Sequence, residues 1–292
     1  MVGMRSPRIL GLSAAASLLV LASACAPADE NDADSTTDAA GDGQCSTDSL
    51  PLKNDGVLTI ATDDPAFEPW FVDNEPSNGE GFESAVAYAI ADELGFAEDE
   101  VEWVVVPFNS SYQPGAKDFD FDINQISITE ERKNAVDFSK PYYSAAQAII
   151  TLEGSEFADV GSLEDFKDAR LGAQIGTTSL AAIDQIDPST APLVYDDTTK
   201  AAQALQNDQV DGIVADLPTA FYLTAAEIDG STIAGQFQPE TGESEEFGLL
   251  LEKGSDLTPC LDAAIESLED DGTLDDIEQQ WLSESANVPE LQ

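Results

Sequence analysis

The sequence lacks histidine and has few cysteines, and these two scarcities exclude several kinds of active site. There are 0 His and 3 Cys in 292 residues. A Ser-His-Asp or Cys-His catalytic centre is therefore impossible, and a zinc site would lack its commonest ligands. The glycines form neither a Walker phosphate-binding loop nor a dinucleotide-binding fingerprint. We therefore expect neither a bound metal nor an organic cofactor.

Positive charge is also scarce. The chain has 11 Lys and Arg residues against 58 Asp and Glu residues, a formal net charge of −47 at pH 7. Such a surface repels nucleic acid, so that class of partner is excluded. It also repels itself unless salt screens it, and the Debye length falls to about 3 Å near 1 M salt. We therefore predict a high-salt habitat and a stability that rises with salt.

The amino terminus has the features of a secretory signal peptide. Arg5 and Arg8 precede an apolar stretch over residues 9–21, which is too short to span a bilayer. We predict a signal peptide over residues 1–24 and cleavage before Cys25. Lipidation of Cys25 would anchor the chain to the outer face of the cytoplasmic membrane, although the small residues before it also suit ordinary signal peptidase. Because no second apolar run is long enough for a spanning helix, we expect the remainder outside the membrane.

The next segment is acidic and almost free of apolar residues. Residues 25–50 are rich in Asp, Ala, Thr, Ser and Gly, a composition that predicts a flexible tether because it buries too little surface to fold. With Cys25 taken by the anchor, Cys45 and Cys260 remain. An even remainder in an oxidising compartment predicts one disulfide. That bond would contribute about 4–5 kcal/mol in the chain-entropy model; two unrelated thiols are the alternative.

Beyond the tether, β-branched runs alternate with helical periodicity. Residues 57–61 and 101–106 have the composition of buried strands, and apolar residues recur at helical spacing from Phe82 to Leu94, with Gly95 placed as a C-cap. The later chain repeats the pattern, with predicted strands at residues 171–175, 210–215 and 249–251, a helix capped by Thr198, and two closing helices near residues 261–268 and 274–281. This order predicts an α/β fold with crossover helices.

The segment Asp118-Phe119-Asp120-Phe121-Asp122 has the carboxylates of a calcium loop but not its pattern. Ile123 stands where an EF-hand loop needs Gly, and no Glu falls at the twelfth position. We instead predict a strand that turns Phe119, Phe121 and Ile123 toward the core.

Two arginines lie beyond the signal peptide, Arg132 and Arg170. A planar guanidinium suits the two parallel hydrogen bonds of a carboxylate, although a lone arginine more often forms a surface ion pair. Two features favour a binding site here. The turn at residues 176–178 offers amides and hydroxyls to an anion at a helix start, and Asp216 ends a strand at the edge where α/β sheets bind ligands. Together they match the backbone of a zwitterionic amino acid.

Three consecutive motifs carry a resemblance to a known family. Ser127-Ile128-Thr129-Glu130-Glu131-Arg132, Val136-Asp137-Phe138-Ser139 and Pro141-Tyr142-Tyr143 resemble the signature of polar amino-acid solute-binding proteins of ABC transporters (family 3 bacterial extracellular solute-binding proteins). Gly81-Phe82-Glu83 and Asp271-Gly272-Thr273-Leu274 fall in the family's order. The resemblance covers residues 57–282.

The resemblance implies a two-lobed periplasmic-binding-protein fold of type II, with a ligand cleft between the lobes and two crossover segments. Residues 51–144 plus 246–292 are expected to form lobe 1. Residues 145–245 are expected to form lobe 2, with hinge crossings at its ends.

The resemblance also assigns ligand contacts, which we take over as expectations. They comprise Arg132, Ser127, Thr177 and Thr178 for the α-carboxylate, Asp216 for the α-ammonium group, and Phe67, Phe108, Asp64 and Gln125 around the side chain and amine. Several relatives have two serines where this chain has Asn124 and Gln125, so their ligand specificity does not transfer directly. Trp70 and Glu83 are expected to be structural.

The implied function is the binding component of an amino-acid importer. The chain would present a polar or basic L-amino acid to an ABC permease and its ATPase, act as a monomer and do no chemistry. Two alternatives remain. One is a dehydratase-like enzyme on the same fold, with Asp216, Glu83 or Asp64 as general acid; the other is a sensory ligand-binding domain.

Overall fold

The computed structural model describes residues 45–239, 245–282 and 288–291. The predicted signal peptide, Cys25 and most of the predicted tether lie outside the described residues. The described part of the chain has ten strands: β1 (Leu58–Thr62), β2 (Val101–Val105), β3 (Phe121–Asp122), β4 (Val136–Ala145), β5 (Gln147–Leu152), β6 (Leu171–Gln174), β7 (Leu193–Tyr195), β8 (Gly212–Asp216), β9 (Ser231–Phe237) and β10 (Glu245–Glu252).

The α-helices of the same residues alternate with these strands, as the periodicity predicts. They are α1 (Phe82–Glu93), α2 (Phe108–Ser111), α3 (Glu130–Lys133), α4 (Thr178–Ala182), α5 (Thr198–Gln206), α6 (Leu217–Tyr222), α7 (Thr258–Asp270) and α8 (Thr273–Leu282). None of the helices in the described ranges is long and apolar enough to cross a membrane.

Two five-stranded sheets organise the molecule. The first has the order β2-β1-β3-β10-β4 and the second the order β7-β6-β8-β5-β9. In each sheet four strands run in the same direction, and the fourth strand in the order, β10 in the first sheet and β5 in the second, is antiparallel to both of its neighbours. The chain leaves the first sheet at Ala146, and its next strand in that sheet, β10, begins at Glu245. This arrangement confirms the prediction of an α/β fold with two lobes.

The core of the first sheet draws on both ends of the described chain. Helices α1, α7 and α8 contact one another, and their apolar side chains join those of β1 and β10 in one cluster. The predicted Cys45–Cys260 disulfide is formed, with the two Cα atoms 5.4 Å apart across 215 residues of sequence. Because both cysteines belong to this cluster, the disulfide joins two distant chain segments within the core of the first sheet.

Strand β2 corrects the expectation of a buried strand at residues 101–106. It pairs only with β1 and so lies at the edge of the sheet. Three of its side chains are only partly buried and two are exposed, with Val105 66% exposed. An apolar run on an edge strand has the same composition as one in a sheet centre, which explains the error.

The cap of α5 is also different from the prediction. Asp197 is the N-cap, and its carboxylate accepts a hydrogen bond from the Lys200 amide at 2.8 Å. Thr198 is instead the first helical residue, and its hydroxyl donates to Gln174 Oε1 at 2.8 Å. Both residue types are good caps, so the sequence alone did not separate them.

The Asp/Phe segment has a shorter strand than predicted. Phe119, Phe121 and Ile123 are buried as expected, but only Phe121–Asp122 pairs as a strand. The acidic residues between them are buried as well. Asp120 accepts hydrogen bonds from the Lys53 and Thr59 amides, both at 2.7 Å, so its carboxylate replaces ladder bonds that the short strand does not make.

Candidate functional site

Arg132 lies on α3, a single turn that is held against the first sheet. The Thr129 hydroxyl caps this turn by accepting from the Arg132 amide at 3.1 Å. The chain just before it, at Ser127, bridges to Phe247 of β10. The arginine side chain is thus directed inward, and the residue is only 7% exposed.

The Arg132 guanidinium connects the two lobes. Nη1 donates to the Ser127 carbonyl at 2.7 Å, and Nη2 donates to the Gly176 carbonyl of the second lobe at 2.9 Å. The group also lies over the rings of Phe108 and Tyr112, at 5.4 and 4.9 Å from their centroids. Burial lowers the pKa of Arg132, and the nearby Tyr112 hydroxyl and carboxylates oppose this shift. Arginine nevertheless stays protonated in proteins, so the site has a permanent cation.

Asp216 occupies the carboxyl end of β8, where the sequence placed it. It is half-buried, and its Oδ1 accepts a hydrogen bond from Gln147 Nε2 at 2.7 Å. Loss of solvent and the nearby Glu245 carboxylate raise the pKa of Asp216 well above its ordinary range.

Glu245 is a site residue that the sequence reasoning missed. It begins β10, directly after the return crossing, and is 6% exposed. Its Oε2 accepts from Gln147 Nε2 at 2.5 Å and from the Thr178 hydroxyl at 3.0 Å. Thr178 Oγ1 also lies 3.1 Å from Ser127 Oγ. A continuous polar chain therefore runs from Asp216 to Ser127. The one sequence feature that could have identified Glu245 is an acidic residue at the start of an apolar strand.

A cavity of about 70 Å³ lies beside Asp216, with room for about five to seven waters. This is the size of a small molecule rather than a peptide. Five predicted site residues line it, Phe67, Phe108, Gln125, Thr177 and Asp216. The other lining residues include the polar side chains of Asn124, Gln174, Ser179, Thr198 and Thr219.

The remaining predicted residues lie elsewhere. Arg132 and Thr178 line an adjacent pocket of about 480 Å³, and Thr177 lines both pockets. Asp64 is exposed, and its carboxylate accepts from Asn74 Nδ2 at 3.0 Å. The structure therefore does not bring Asp64 to the cavity.

The turn at residues 176–178 leads into the short helix α4. This helix has five residues, so the dipole at its start is weak. Thr177 Oγ1 caps it by accepting from the Leu180 amide at 3.1 Å. The Thr178 hydroxyl donates to Glu245. This turn therefore contributes the Thr177 and Thr178 hydroxyls and the Gly176 carbonyl to the site.

Gln125 is positioned by hydrogen bonds to the Glu83 carboxylate. Its backbone has a φ of +47°, and its amide donates to Glu83 Oε1 at 2.7 Å. The Gln125 side-chain amide donates to Glu83 Oε2, and the Tyr142 hydroxyl donates to Oε1 at 2.5 Å. Burial raises the pKa of Glu83 to about 7. Glu83 thus shapes the cavity wall at Gln125 without lining the cavity.

Trp70 belongs to the core and also holds a residue that lines the cavity. It is fully buried, and its ring contacts those of Phe82, Tyr143 and Phe247. Its Nε1 donates to the Thr219 hydroxyl at 2.8 Å, and Thr219 lines the cavity from the second lobe.

Comparisons with known proteins point to one family. The model for bacterial extracellular solute-binding proteins, family 3, matches residues 58–284. The ABC transporter glutamine-binding protein GlnH of Bacillus subtilis (strain 168) is 30% identical over 214 residues, which cover 72% of this chain and 76% of that protein.

Solved structures agree with this assignment. An ancestral arginine-binding protein bound to glutamine is 33% identical, with a TM-score of 0.64 over 78% of this chain and 98% of that one. An ancestral amino-acid-binding protein described as a precursor of cyclohexadienyl dehydratase is 28% identical, with a TM-score of 0.63 over 77% of this chain and 95% of that one. The resemblance found in the sequence motifs is confirmed: the chain belongs to the family 3 bacterial extracellular solute-binding proteins and has their two-lobed fold.

Proposed function

We propose that this solute-binding protein captures a free polar or basic L-amino acid between its lobes for an ABC importer. The observation that carries the proposal is a polar chain between the lobes, which runs from the Asp216 carboxylate to Ser127, whose carbonyl accepts from the buried cation Arg132. An amino acid presents the two opposite charges, an α-ammonium group and an α-carboxylate. The relatives named for glutamine and arginine support the same class of ligand.

The α-carboxylate is assigned to Arg132, with Ser127, Thr177 and Thr178 beside it. In the structure, Nη1 and Nη2 donate to the neutral carbonyls of Ser127 and Gly176. A carboxylate is a stronger acceptor than a carbonyl because charge-assisted hydrogen bonds are about twice as strong as neutral ones. The ligand therefore competes successfully for the guanidinium.

The ammonium group is assigned to Asp216 and the side chain to the cavity beside it. Phe67 and Phe108 supply aromatic walls, and Gln125 is among the polar residues that complete the lining. This mixture suits a side chain with an apolar stem and a polar or charged end. Asp64 remains the weakest of the predicted contacts because it lies outside the lining.

Ligand binding is proposed to hold the lobes closed. We assign residues 51–144 plus 246–292 to lobe 1 and residues 145–245 to lobe 2, with the crossings acting as hinges. A ligand that contacts both lobes stabilises the closed form by its differential affinity for that form. The closed form would then be recognised by the permease and its ATPase. Export, the lipid anchor at Cys25 and a monomeric state belong to the same proposal.

An enzyme on the same fold is the second candidate. It is favoured by one observation, the raised pKa of Asp216, because a carboxyl that is protonated near neutrality is suited to general acid catalysis. The similarity to the ancestral precursor of a dehydratase bears on the same point. Recovery of a bound amino acid unchanged after prolonged incubation rejects this candidate, whereas turnover of a prephenate-like compound would establish it.

A thermal-shift screen of the chain without its signal peptide, against the free L-amino acids and their D-enantiomers, tests the proposed function. A ligand present at a thousandfold excess over its Kd stabilises the folded form by about 4 kcal/mol. One or a few L-amino acids are expected to raise the Tm clearly, and their D-enantiomers much less. A folded protein whose Tm no amino acid changes would contradict the proposal.

A further inference from the structure

Two acidic side chains in the site share one amide group. Gln147 Nε2 donates to Asp216 Oδ1 at 2.7 Å and to Glu245 Oε2 at 2.5 Å. The two carboxylate oxygens are therefore no farther apart than the sum of these distances. Gln147 is fully buried and Glu245 nearly so. Asp216 alone of the three lines the ligand cavity.

The orientation of the Gln147 amide leaves an unused acceptor beside this pair. Both carboxylates are acceptors, so the amide has to turn its nitrogen toward them. Its oxygen, Oε1, is then buried without a hydrogen-bond partner in the described part of the chain. A buried acceptor without a donor is unfavourable. The surroundings of Asp216 therefore contain more acceptors than donors, which is the arrangement that an N–H-rich group would complete.

Among the described residues, no cation forms an ion pair with either carboxylate. The groups that face it from the surrounding elements are Arg132, Glu83, Tyr142 and Tyr143. Arg132 is the one cation among them, and the ion pairs of the described residues do not include a bond from it to either carboxylate. Burial raises the pKa values of Asp216 and Glu245, and repulsion from the Glu245 carboxylate adds to the rise for Asp216, whereas the Arg132 cation opposes the rise for both. Two carboxyl groups this close therefore titrate as a unit.

We propose that Asp216, Gln147 and Glu245 form a unit that holds one proton in the ligand-free protein, and that the ammonium group of the bound amino acid replaces this proton. The inference rests on the proposed function. On binding, the carboxyl O–H bond breaks, its proton passes to water, and the ammonium N–H groups donate to the freed acceptors. No electron transfer or further reactant is involved.

Glu245 acts in this unit as a positioning residue. It does not line the cavity, but it reaches Asp216 through Gln147 and reaches Ser127 through Thr178. When Glu245 is ionised, it accepts more strongly from both Thr178 and Gln147. The ionised form therefore orders the carboxylate end and the ammonium end of the site together.

The exchange makes affinity depend on pH. Release of one proton strengthens binding by up to tenfold per pH unit while the pair titrates, and the affinity levels off once both carboxylates are ionised. Titration calorimetry with L-arginine and with L-glutamine, in phosphate and in Tris buffer between pH 6 and 8.5, counts the released protons directly from the difference in heats. About one proton per bound amino acid is expected.

Two variants separate the unit from the rest of the acidic surface. Glu245→Gln keeps the shape and an acceptor for Thr178 and Gln147 but removes the partner charge, so the released fraction of a proton and the pH slope are expected to fall by half or more. Glu153→Gln is the matched control, because Glu153 is exposed at the far end of β5. This control is expected to leave the number of released protons and the pH slope of the affinity unchanged.

A ligand-free measurement distinguishes failure of this inference from failure of the proposed function. The raised pKa values mean that ligand-free stability is lost as pH rises through the titration of the pair. Chemical unfolding at pH 5 to 9 is therefore expected to show a smaller loss for Glu245→Gln than for the wild type and the Glu153→Gln control. Binding without proton release, or identical pH profiles for the three proteins, overturns the inference. If neither amino acid binds, the ligand-free profiles decide whether the pair holds a proton, and the thermal-shift screen decides the proposed function separately.

Discussion

At the scale of single residues, Arg132 has a position that the sequence predicted and contacts that it did not. Its scarcity and its motif identified it as the candidate for a carboxylate. Its bond to the Gly176 carbonyl, 44 residues away, and its stacking on Tyr112 are contacts that no local pattern reveals. The arginine thus bridges the lobes, and the proposed function gives it a second task, binding the ligand carboxylate.

Replacing Arg132 by alanine separates these tasks. Loss of a buried charged partner costs about 2–5 kcal/mol in binding, so Arg132→Ala is expected to weaken amino-acid affinity by several hundred-fold while the ligand-free protein stays folded. Calorimetric binding and thermal unfolding measure the two effects. Arg170→Ala is the control, because Arg170 is exposed and pairs with Asp211 on the surface. If Arg132→Ala unfolds the protein and spares the affinity, the arginine is structural.

Glu83 carries a prediction about pH. Its folded-state pKa is raised to about 7 from 4.5. The contribution of protonated Glu83 to the unfolding free energy is therefore complete below pH 4.5 and is lost as pH rises through about 7. The shift corresponds to about 3 kcal/mol. Glu83→Gln is therefore expected to reduce the fall in unfolding free energy between pH 5 and 8, measured by chemical denaturation without ligand. An unchanged pH profile would show that Glu83 is ionised in the folded protein.

At the scale of elements, the turn at Gly176 meets α2 of the first lobe at very short range. A β-carbon at Gly176 would lie 2.4 Å from Tyr112 Oη and 2.7 Å from Asn109 Oδ1. The Gly176 φ of +76° also favours glycine. Glycine at this position thus permits the Gly176 carbonyl to approach Arg132.

Gly176→Ala is expected to weaken amino-acid binding by about tenfold or more, because contacts this short obstruct closure. The matched control is Gly154→Ala, which has the same φ of +76° but open space around the added carbon. Adding Tyr112→Phe to Gly176→Ala removes the closest clashing atom and is expected to recover part of the affinity. Equal effects of the two glycine variants on calorimetric affinity would show that backbone strain, not the contact, is responsible.

The positions of individual helices and strands could be predicted closely from the sequence. Which elements lie next to them in the fold could not. The β-branched run at residues 57–61 and the helical spacing from Phe82 to Leu94 report local preferences, and both elements formed as predicted. Whether β2 lies at an edge depends on which strands pair, which is a property of the whole sheet. Glu245 escaped prediction for the same reason: its partners Gln147 and Thr178 are 98 and 67 residues away.

At the scale of the whole molecule, negative charge dominates. Most cations of the described residues are used in surface ion pairs, such as Lys53–Glu252, Lys140–Glu266 and Lys253–Asp137. With 58 acidic residues in the chain, these pairs leave a large excess of negative charge. Because exposed ion pairs contribute at most about 1 kcal/mol each, they do not offset the repulsion.

The unfolding free energy is therefore expected to rise from about 0.1 M to about 1 M KCl, where screening shortens the Debye length to about 3 Å. Urea unfolding at each salt concentration measures the effect. NaCl is expected to act like KCl, because screening by monovalent ions does not depend on their identity. A stability indifferent to salt would contradict the prediction of a high-salt habitat.

The central claim is that the site recognises the two charges of an amino-acid backbone. Its most direct test is calorimetric titration with the L-amino acid that stabilises the protein most in the thermal screen, alongside its α-carboxamide and its N-acetyl derivative. The free amino acid is expected to bind once per chain. Each derivative, which lacks the partner of Arg132 or of Asp216, is expected to bind at least about thirtyfold more weakly. Derivatives that bind as tightly as the parent compound would contradict the claim.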